Sequence, residues 1–230
     1  MRGLRLAGDS LLHMMFPHVC CGCGSDLLDR NSELCLRCIA SMPVTGFVGM
    51  HHNPVEQKFW GRLPLDHALA MYYFTRESLL QRLMHQLKYK GNREIGRQLG
   101  GMMGRELQSS AILDALIPLP LFPSRESRRG YNQATVICEG LTDILQIPIL
   151  RDVVIRSEHT DSQTNKGRIE RWKNMEGKFV LTDPAAIAGR RVMLVDDVIT
   201  TGATLEACGI ELLKADGVRL SVGALCFANS

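Results

Sequence analysis

Long hydrophobic runs are missing from this 230-residue sequence, in which no segment approaches the about eighteen consecutive apolar residues of a membrane-spanning helix. A secretory leader is missing too, because Asp9, Ser10 and His13 interrupt the apolar residues near the amino terminus. The sequence also lacks a large excess of positive or negative charge. The 27 basic and 24 acidic residues leave a net charge of +3, which is too small to indicate a nucleic-acid-binding protein by itself. We therefore expect a soluble, cytoplasmic protein without a membrane span.

Two nucleotide-binding motifs are also absent. The chain contains no G-x4-G-K-[ST] sequence and no G-x-G-x-x-G after a predicted strand. This removes the main support for a P-loop enzyme or a dinucleotide-binding protein. No internal repeat occurs either, and a chain of 230 residues with 45% apolar content suffices for one α/β domain and a small extension.

The most informative segment is residues 192–204, which read VMLVDDVITTGAT. Its first four residues are apolar without alternation, a pattern typical of a central parallel strand that is buried on both faces. Beyond Gly202 the apolar residues follow helical spacing, and a second apolar run at residues 220–227 predicts another strand. The order of strand, helix and strand predicts an α/β fold with a mainly parallel central sheet flanked by helices.

The turn between this strand and its helix carries groups that suit a sugar phosphate. Ligands collect at the carboxyl ends of parallel strands, where the start of a helix offers free amide groups to an anion. Asp196 and Asp197 supply acceptors for two vicinal ribose hydroxyls, or ligands for a magnesium ion. The predicted phosphate loop consists of Thr200, Thr201, Gly202, Ala203 and Thr204. A solvated turn with a helix cap is the alternative interpretation of any single residue here.

Five of the eight cysteines fall within nineteen positions near the amino terminus. Two C-x2-C pairs with eleven residues between them, a spacing typical of a closed tetrahedral zinc site, are formed by Cys20, Cys23, Cys35 and Cys38. Cys20 and Cys21 adjoin, and we choose Cys20 as the first ligand because only it completes the C-x2-C spacing. A redox or disulfide cluster is the alternative, which a reducing cytosol disfavours. Four cysteines leave no open coordination position, so we expect a structural zinc ion in a docking module.

These patterns divide the chain into two parts. We predict an amino-terminal helix and a zinc-binding module in residues 1–60, followed by the α/β domain in residues 61–230. Residues 82–105 combine six basic residues with apolar residues at helical spacing, which indicates the solvated side of amphipathic helices. A phosphate-facing or single-stranded DNA-binding surface is the alternative, and within it Lys88 is a candidate ligand of a diphosphate.

Two further segments are candidates for binding a diphosphate. The basic cluster after the short apolar run at residues 115–119 includes Arg125 and Arg129, whose guanidinium groups match phosphate oxygens. Residues 157–178 are polar and basic, and we interpret them as a cover that closes over phosphates and excludes water. The alternatives are arginines satisfied by solvent and Glu126 at a helix start, and an ordinary surface loop.

Residues 196–204 resemble the binding motif of the type I phosphoribosyltransferases. A closer resemblance is to the ComF family, and it rests on the cysteine-rich start, HQLKYKG at residues 85–91, PLPLFPSR and RRGYNQ within residues 118–133, and the spacing of residues from Arg156 to Phe179. The resemblance implies a type I phosphoribosyltransferase fold in which the paired acids hold the ribose hydroxyls and the loop holds the 5-phosphate of phosphoribosyl diphosphate. It also implies a link to DNA uptake in natural competence, beside a helicase and proteins that handle single-stranded DNA.

Three functions are compatible with these features. The first is Mg²⁺-dependent transfer of ribosyl 5-phosphate from phosphoribosyl diphosphate to a nitrogen acceptor, with Asp196 and Asp197 as the catalytic residues that fix the ribose. The second is a non-catalytic competence adaptor that binds single-stranded DNA or a helicase partner. The third is a regulator that senses phosphoribosyl diphosphate or a nucleotide without turnover. The sequence identifies neither the acceptor nor the oligomeric state.

Overall fold

The computed structural model describes residues 18–29, 31–110, 112–157 and 179–228. The predicted amino-terminal helix and almost all of the predicted cover lie outside these residues. The described helices are α1 (Leu36–Ala40), α2 (Pro54–Gln57), α3 (Leu79–Tyr89), α4 (Arg93–Leu107), α5 (Pro123–Arg129), α6 (Gln133–Leu145) and α7 (Ala203–Leu212). The described strands are β1 (His67–Tyr73), β2 (Ala115–Pro118), β3 (Val154–Arg156), β4 (Phe179–Leu181), β5 (Arg191–Ile199) and β6 (Arg219–Phe227).

A four-stranded parallel sheet in the order β1-β6-β5-β2 forms the centre of the fold. Its two middle strands, β6 and β5, are buried along most of their length because apolar side chains point to both faces. Val195 of β5 lies opposite Pro118 on one side and Gly223 on the other, and the carboxyl ends of the strands meet at one edge. A separate antiparallel pair consists of β3 and β4. The predicted α/β class with a parallel central sheet is confirmed.

The strand that carries the paired acids is longer than the sequence predicts. The apolar run predicts a strand over residues 192–195, but β5 continues to Ile199 because Asp196 and Val198 still pair with residues of β6. The predicted helix begins directly after Gly202, as expected. Asp196 therefore pairs with Ala224 within the central strand, and Asp197 follows it inside β5 rather than in a loop beyond the strand.

The two helices within residues 82–105 turn their apolar residues inward. The fully buried side chains are Leu83, Leu87, Ile95 and Leu99. On the outer side, Arg93 and Arg97 of α4 form ion pairs with Glu139 and Asp143 of α6, at 3.5 and 2.8 Å. The amphipathic interpretation of this segment is confirmed. None of the helices in the described ranges is both long and apolar enough to cross a membrane.

Helices α4 and α6 cross with their backbones in close contact, and glycine makes this possible. A β-carbon on Gly140 would overlap the carbonyl oxygen of Arg97, and one on Gly100 would overlap the carbonyl oxygen of Ile137. Gly101, on the same helix as Gly100, has only ordinary contacts, since its nearest neighbour would lie 3.6 Å away. These contacts therefore fix the distance between α4 and α6 at the point where they cross.

Residues 41–60, in which the sequence offers almost no recognisable pattern, cover the outer edge of the sheet. Val44 forms a bridge to Tyr72 of β1, and the amide of Thr45 donates to the carbonyl of Met71 at 2.9 Å. Asn53 is 1% exposed, and its amide group donates to the carbonyl of Ala68 at 2.8 Å. These contacts protect an edge strand that would otherwise present unpaired backbone groups. The predicted boundary at residue 60 stays a prediction.

The cysteine-rich segment packs on α3 and α4. Gln98 accepts a hydrogen bond from the amide of Glu33 at 2.7 Å, and Gln86 donates to the carbonyl of Cys21 at 2.9 Å. Asn92, which caps α4, also donates to the Glu33 carboxylate at 3.1 Å. Polar side chains of two core helices thus hold the module in place.

Gly140→Ala should lower the free energy of unfolding by about 3 kcal/mol or more, at the upper end of what overpacking costs, because backbone rather than a side chain must move. Gly101→Ala is the matched control. It should be neutral or stabilising by up to about 1 kcal/mol, because alanine favours a helix and meets no obstacle there. Urea unfolding followed by circular dichroism measures both. Equal midpoints for the two variants would contradict the close crossing.

Candidate functional site

The acid pair and the predicted phosphate loop lie together where β5 ends. Gly202 adopts a φ of +78° at the start of α7, and its carbonyl accepts the amide of Glu206 at 2.8 Å. A β-carbon there would lie 3.0 Å from the ring of Phe59, so both the backbone angle and the close packing require glycine. The amides at the start of a helix have no partner within it, and they face a hollow of about 40 Å³ lined by Asp196 and residues 198–205.

The two carboxylates differ in their surroundings. Asp197 is 8% exposed and forms an ion pair with the ammonium group of Lys88. Asp196 accepts the amide of Asp197 at 2.8 Å through its own side chain. Burial, together with the negative charge of Asp197, raises the pKa of Asp196 to about 8. The pair therefore combines one carboxylate that contacts an ammonium group with one carboxyl group that holds its proton near neutral pH.

Lys88 reaches the acid pair from α3, 109 positions earlier in the chain. The sequence raises Lys88 only as a candidate ligand of a diphosphate, and it contains no local signal that links this lysine to Asp197. The contact exists because α3 packs its apolar face on the core and leaves Lys88 at its carboxyl-terminal end. A basic residue in the last turn of a helix is the one available signal, and it is not specific.

The two predicted diphosphate arginines lie on α5, which follows β2. The guanidinium of Arg125 lies over the ring of Phe122 at 5.6 Å, and that of Arg129 lies over the ring of Tyr89 at 5.5 Å. Arg129 also donates to Gln133. Tyr89 is the neighbour of Lys88 in α3, so Arg129 lies close to the carboxyl-terminal end of this helix. Whether either arginine binds a ligand stays a prediction.

Arg156 is a site residue that the sequence names only through its ComF-like spacing, without a predicted role. Its guanidinium lies over the rings of Phe122 and Phe179, at 3.7 and 5.1 Å. Burial and the nearby charge of Arg125 lower its pKa, and its Nε atom has no hydrogen-bond partner within the described residues. Arg156 lines a cavity of about 410 Å³ together with Tyr131. The aromatic side chains thus hold a cation beside this cavity.

Asn132, which belongs to the RRGYNQ segment, acts as a helix cap. Its side chain accepts the amide of Ala134 at 2.9 Å and donates to the carbonyl of Leu119 at 2.9 Å. Asn132 is 8% exposed. It ties the start of α6 to the end of β2, and its effect on the site is to position the backbone.

The four predicted zinc ligands form a cluster whose Sγ atoms all lie within 4.8 Å of one another: Cys20, Cys23, Cys35 and Cys38. The Sγ atoms of Cys23 and Cys35 are 3.6 Å apart. A tetrahedral zinc ion with Zn–S bonds of about 2.3 Å separates its sulfur ligands by about 3.8 Å, so the four thiols fit this ion. Burial raises the pKa of Cys20, but backbone N–H groups, including that of Cys35 at 3.3 Å, outweigh it and lower the pKa to about 6.

Cys21 lies outside this cluster. Its thiol donates to the carboxylate of Glu33 at 3.1 Å, and Asn92 donates to its sulfur at 3.3 Å. Burial and Glu33 raise the pKa of Cys21 to about 12, and its hydrogen bonds join the sulfur to Glu33 and Asn92 rather than to the other four sulfur atoms. The structure agrees with the choice of Cys20 rather than Cys21. His51 and His52 are exposed and lie outside the cysteine cluster.

Residues 131–230 match the phosphoribosyl transferase domain family. Competence protein F of Haemophilus influenzae is 31% identical over 205 residues, which cover 89% of this chain and 81% of that protein. The chain belongs to the ComF family. DNA utilization protein YhgH of Shigella flexneri is 31% identical over 153 residues, which cover 64% of this chain and 66% of that protein. Glutamine phosphoribosylpyrophosphate amidotransferase of B. subtilis, complexed with ADP and GMP, is 16% identical with a TM-score of 0.44, over 62% of this chain and 30% of its own.

Membership of the ComF family places the chain in the type I phosphoribosyltransferase superfamily. The matched region contains the acid pair, the phosphate loop and Arg156. The cysteine cluster, Lys88 and both predicted diphosphate arginines precede it. The domain match thus covers the β5 to β6 unit with its loop, while Lys88 and the two arginines of α5 lie on elements earlier in the chain.

Replacing Cys35 and Cys38 together by serine should remove the thiolate-bound zinc ion. We expect about one tightly held zinc per wild-type chain after brief dialysis against a chelator that strips loosely bound ions, and almost none in the double variant. Metal analysis of the purified proteins measures this. Cys21→Ser is the matched control, because its thiol contacts Glu33 instead of the cluster. Loss of zinc in this control would contradict the assignment of the ligands.

Asp196→Asn should raise the free energy of unfolding, by an amount that grows as pH rises from about 4 to about 8. The pKa of an unfolded aspartate is about 3.9 and that of folded Asp196 is about 8, so folding takes up a proton between these values. Wild-type stability falls as pH rises through this window, whereas asparagine does not titrate. Urea unfolding at about pH 5 and about pH 8 measures the difference, with the exposed Asp216→Asn as control. An equal gain at both pH values would be inconsistent with a raised pKa.

Proposed function

We propose that this chain binds phosphoribosyl diphosphate with Mg²⁺ at the edge of the sheet where β5 ends. The observation that carries the proposal is the continuity of paired acids, phosphate loop and helix start along residues 196–204, at the end of a buried central strand. Open parallel sheets bind their ligands at this edge. The phosphoribosyl transferase domain match and membership of the ComF family support the class of ligand.

Each part of the ligand has a corresponding group in the chain. Asp196 and Asp197 would accept hydrogen bonds from the ribose hydroxyls. The 5-phosphate would receive amide and hydroxyl hydrogen bonds from the loop formed by Thr200, Thr201, Gly202, Ala203 and Thr204. Arg125 and Arg129 would bind the diphosphate together with Mg²⁺, since guanidinium groups pair well with phosphate oxygens. The hollow beside the loop has room for a small group such as one phosphate.

Lys88 has a specific place in this proposal. Its ammonium group compensates the charge of Asp197 in the unliganded protein. In the complex, the ribose hydroxyls would donate hydrogen bonds to this carboxylate, and Mg²⁺ would supply the positive charge. Ligand entry would release the ammonium group from the carboxylate. The freed ammonium group would then be available to a diphosphate oxygen. The ion pair thus sets part of the affinity, because binding must first break it.

Transfer would follow from the bound geometry. The bond between C1 of the ribose and the diphosphate oxygen would break, with the electron pair leaving on diphosphate. A nitrogen nucleophile would bond to C1 and give up a proton. Positioning and electrostatic stabilisation of the leaving group would lower the barrier. We assign the cavity of about 410 Å³ beside Arg156 and Tyr131 to the acceptor, because it lies at the same edge of the sheet.

A competence adaptor is the second candidate function. It is favoured by the names of the relatives, a competence protein and a DNA utilization protein. In this case the phosphoribosyl site would be a binding or sensing site without turnover, and the cysteine module would be the docking surface for a helicase or a single-stranded DNA-handling partner. The basic face of α4 contributes less to DNA binding than its composition suggests, because Arg93 and Arg97 are already paired with acids of α6.

Asp197→Asn should weaken binding of phosphoribosyl diphosphate in the presence of Mg²⁺ by at least about tenfold, which corresponds to about 1.4 kcal/mol. The variant removes a charged acceptor from the ribose and the metal, although its shape is nearly unchanged. Isothermal titration calorimetry measures the affinity. Asp143→Asn is the matched control, because Asp143 pairs with Arg97 on the surface of α6 and should leave the affinity unchanged.

Wild-type protein that shows neither heat nor saturation at millimolar ligand would overturn the site assignment. Diphosphate release across a panel of bases and amines then separates the two functions. An enzyme releases diphosphate with one acceptor and loses this activity in Asp197→Asn. An adaptor releases none, and its binding to single-stranded DNA or to a helicase is the same in wild type and variant.

A further inference from the structure

A second group of metal-ligating side chains lies at the opposite edge of the sheet, where the parallel strands begin. It consists of His51, Glu56 and His67. His67 is the first residue of β1, Glu56 belongs to α2, and His51 lies in the turn that precedes α2. β1 has seven residues. Ala70 of β1 is in register with Asp196 through Ala224 of β6, so at about 3.3 Å per residue the cluster lies roughly 10 Å from the acid pair along the strand direction and two strand spacings away across the sheet.

The distances within this cluster suit a metal ion better than a direct ion pair. The ligating atoms of the three side chains lie within 4.8 Å of one another. His67 Nδ1 and Glu56 Oε1 are 3.4 Å apart, whereas a charge-assisted hydrogen bond between such groups is about 2.7–2.9 Å long. Two ligands at about 2.1 Å from a tetrahedral metal ion are separated by about 3.4 Å. The ring of His51 stands 4.6 Å from that of His67, centre to centre.

The backbone around the cluster is held in place. Asn53, which is 1% exposed, caps α2 and also bonds to the carbonyls of Met50 and Ala68, at 2.9 and 2.8 Å. Glu56 Oε2 accepts the amide of His52 at 2.6 Å. His52 adopts a φ of +60°, a conformation uncommon for a residue with a side chain, and this hydrogen bond supports it. One carboxylate oxygen is thus used to fix the turn, and the other faces His67.

A cavity of about 360 Å³ adjoins the three side chains, and its other charges are already paired. Arg191 binds Asp114 at 2.8 Å, and Arg219 binds Asp66 at 2.9 Å. Neither arginine pairs with Glu56 in the described structure. Within the described residues, Glu56 contacts His67 and accepts the backbone amides of His52 and Ala68, and no lysine or arginine pairs with it, so its negative charge is available to a cation.

We propose that His51, Glu56 and His67 bind a second divalent metal ion of the transition series. Two imidazole nitrogens and one carboxylate oxygen suit Zn²⁺, Co²⁺, Ni²⁺ or Fe²⁺ and do not suit Mg²⁺ or Ca²⁺, which prefer oxygen ligands alone. Three protein ligands leave at least one coordination position for water or for a ligand held in the cavity. In this respect the site differs from the cysteine cluster, whose four thiolates complete the coordination.

The test uses the full chain with its cysteine cluster loaded with zinc. Titration with Zn²⁺ against a competing fluorescent indicator should show saturable uptake of one further equivalent. His67→Ala and Glu56→Gln should each lower the affinity for this second Zn²⁺ by at least about 10–100-fold. Loss of a residue that only supports a ligand already has an effect of this size. His52→Asn is the matched control, because it keeps the backbone amide that binds Glu56 and its ring lies 6.4 Å from that of His51.

Co²⁺ provides an independent readout of which ligands bind. Cobalt held by histidine and carboxylate lacks the strong sulfur-to-metal absorption that cobalt in the cysteine cluster would show. If His67→Ala fails to fold, His51→Ala replaces it, since His51 is exposed. The proposal is overturned if wild type takes up no further equivalent, if the ligand variants retain it, or if sulfur-to-cobalt absorption accompanies the uptake. Asp197→Asn should bind this metal normally, so failure of phosphoribosyl diphosphate binding does not affect the result.

Discussion

Repulsion between two adjacent carboxylates governs the organisation of the candidate phosphoribosyl site. Asp196 and Asp197 lie at the end of β5, which has a strand on each side and apolar side chains on both faces, so water screens their charges poorly. The chain meets this constraint in two ways. Lys88 neutralises Asp197, and Asp196 has a pKa high enough to keep its proton near neutral pH. Because both acids lie within a hydrogen-bonded central strand, their carboxylates stay close together. Two acids on a flexible loop would move apart.

Helix α3 connects this pair to the cysteine module. Gln86 donates to the backbone of Cys21, and two residues later Lys88 reaches Asp197. Between them, the carbonyl of Leu87 accepts the hydroxyl of Tyr131, which lines the larger cavity. One turn of a single helix therefore contacts the metal module, the acid pair and the cavity. A displacement of the module would reach the phosphoribosyl site through this turn, because a packed helix moves as a rigid element.

The sequence predicts those parts of the molecule that depend on neighbours along the chain. The central strand, the glycine turn and the following helix are encoded within residues 192–204, where each local preference agrees with the fold. The cysteine cluster is likewise predictable, because the spacing of its two C-x2-C pairs is typical of zinc sites. By contrast, Lys88 meets Asp197 across 109 positions, and a pairing at that separation is determined by how α3 packs. The contacts of Arg156 with two aromatic rings from different elements have the same origin, and the sequence names this residue only through its ComF-like spacing, without a role.

The same division explains why ligand binding is better supported than turnover. The groups assigned to the phosphoribosyl donor are mostly local to β5 and its loop, whereas those that would choose an acceptor come from β2, β3 and α6. Turnover also requires that a cation move. While Lys88 contacts Asp197, its positive charge compensates the negative charge of that carboxylate in the unliganded protein. The same charge is then not available to the leaving diphosphate. If Mg²⁺ and the ribose hydroxyls replace Lys88, its ammonium group becomes available to the departing oxygen. The position of one lysine in the liganded state thus separates a binding protein from an enzyme.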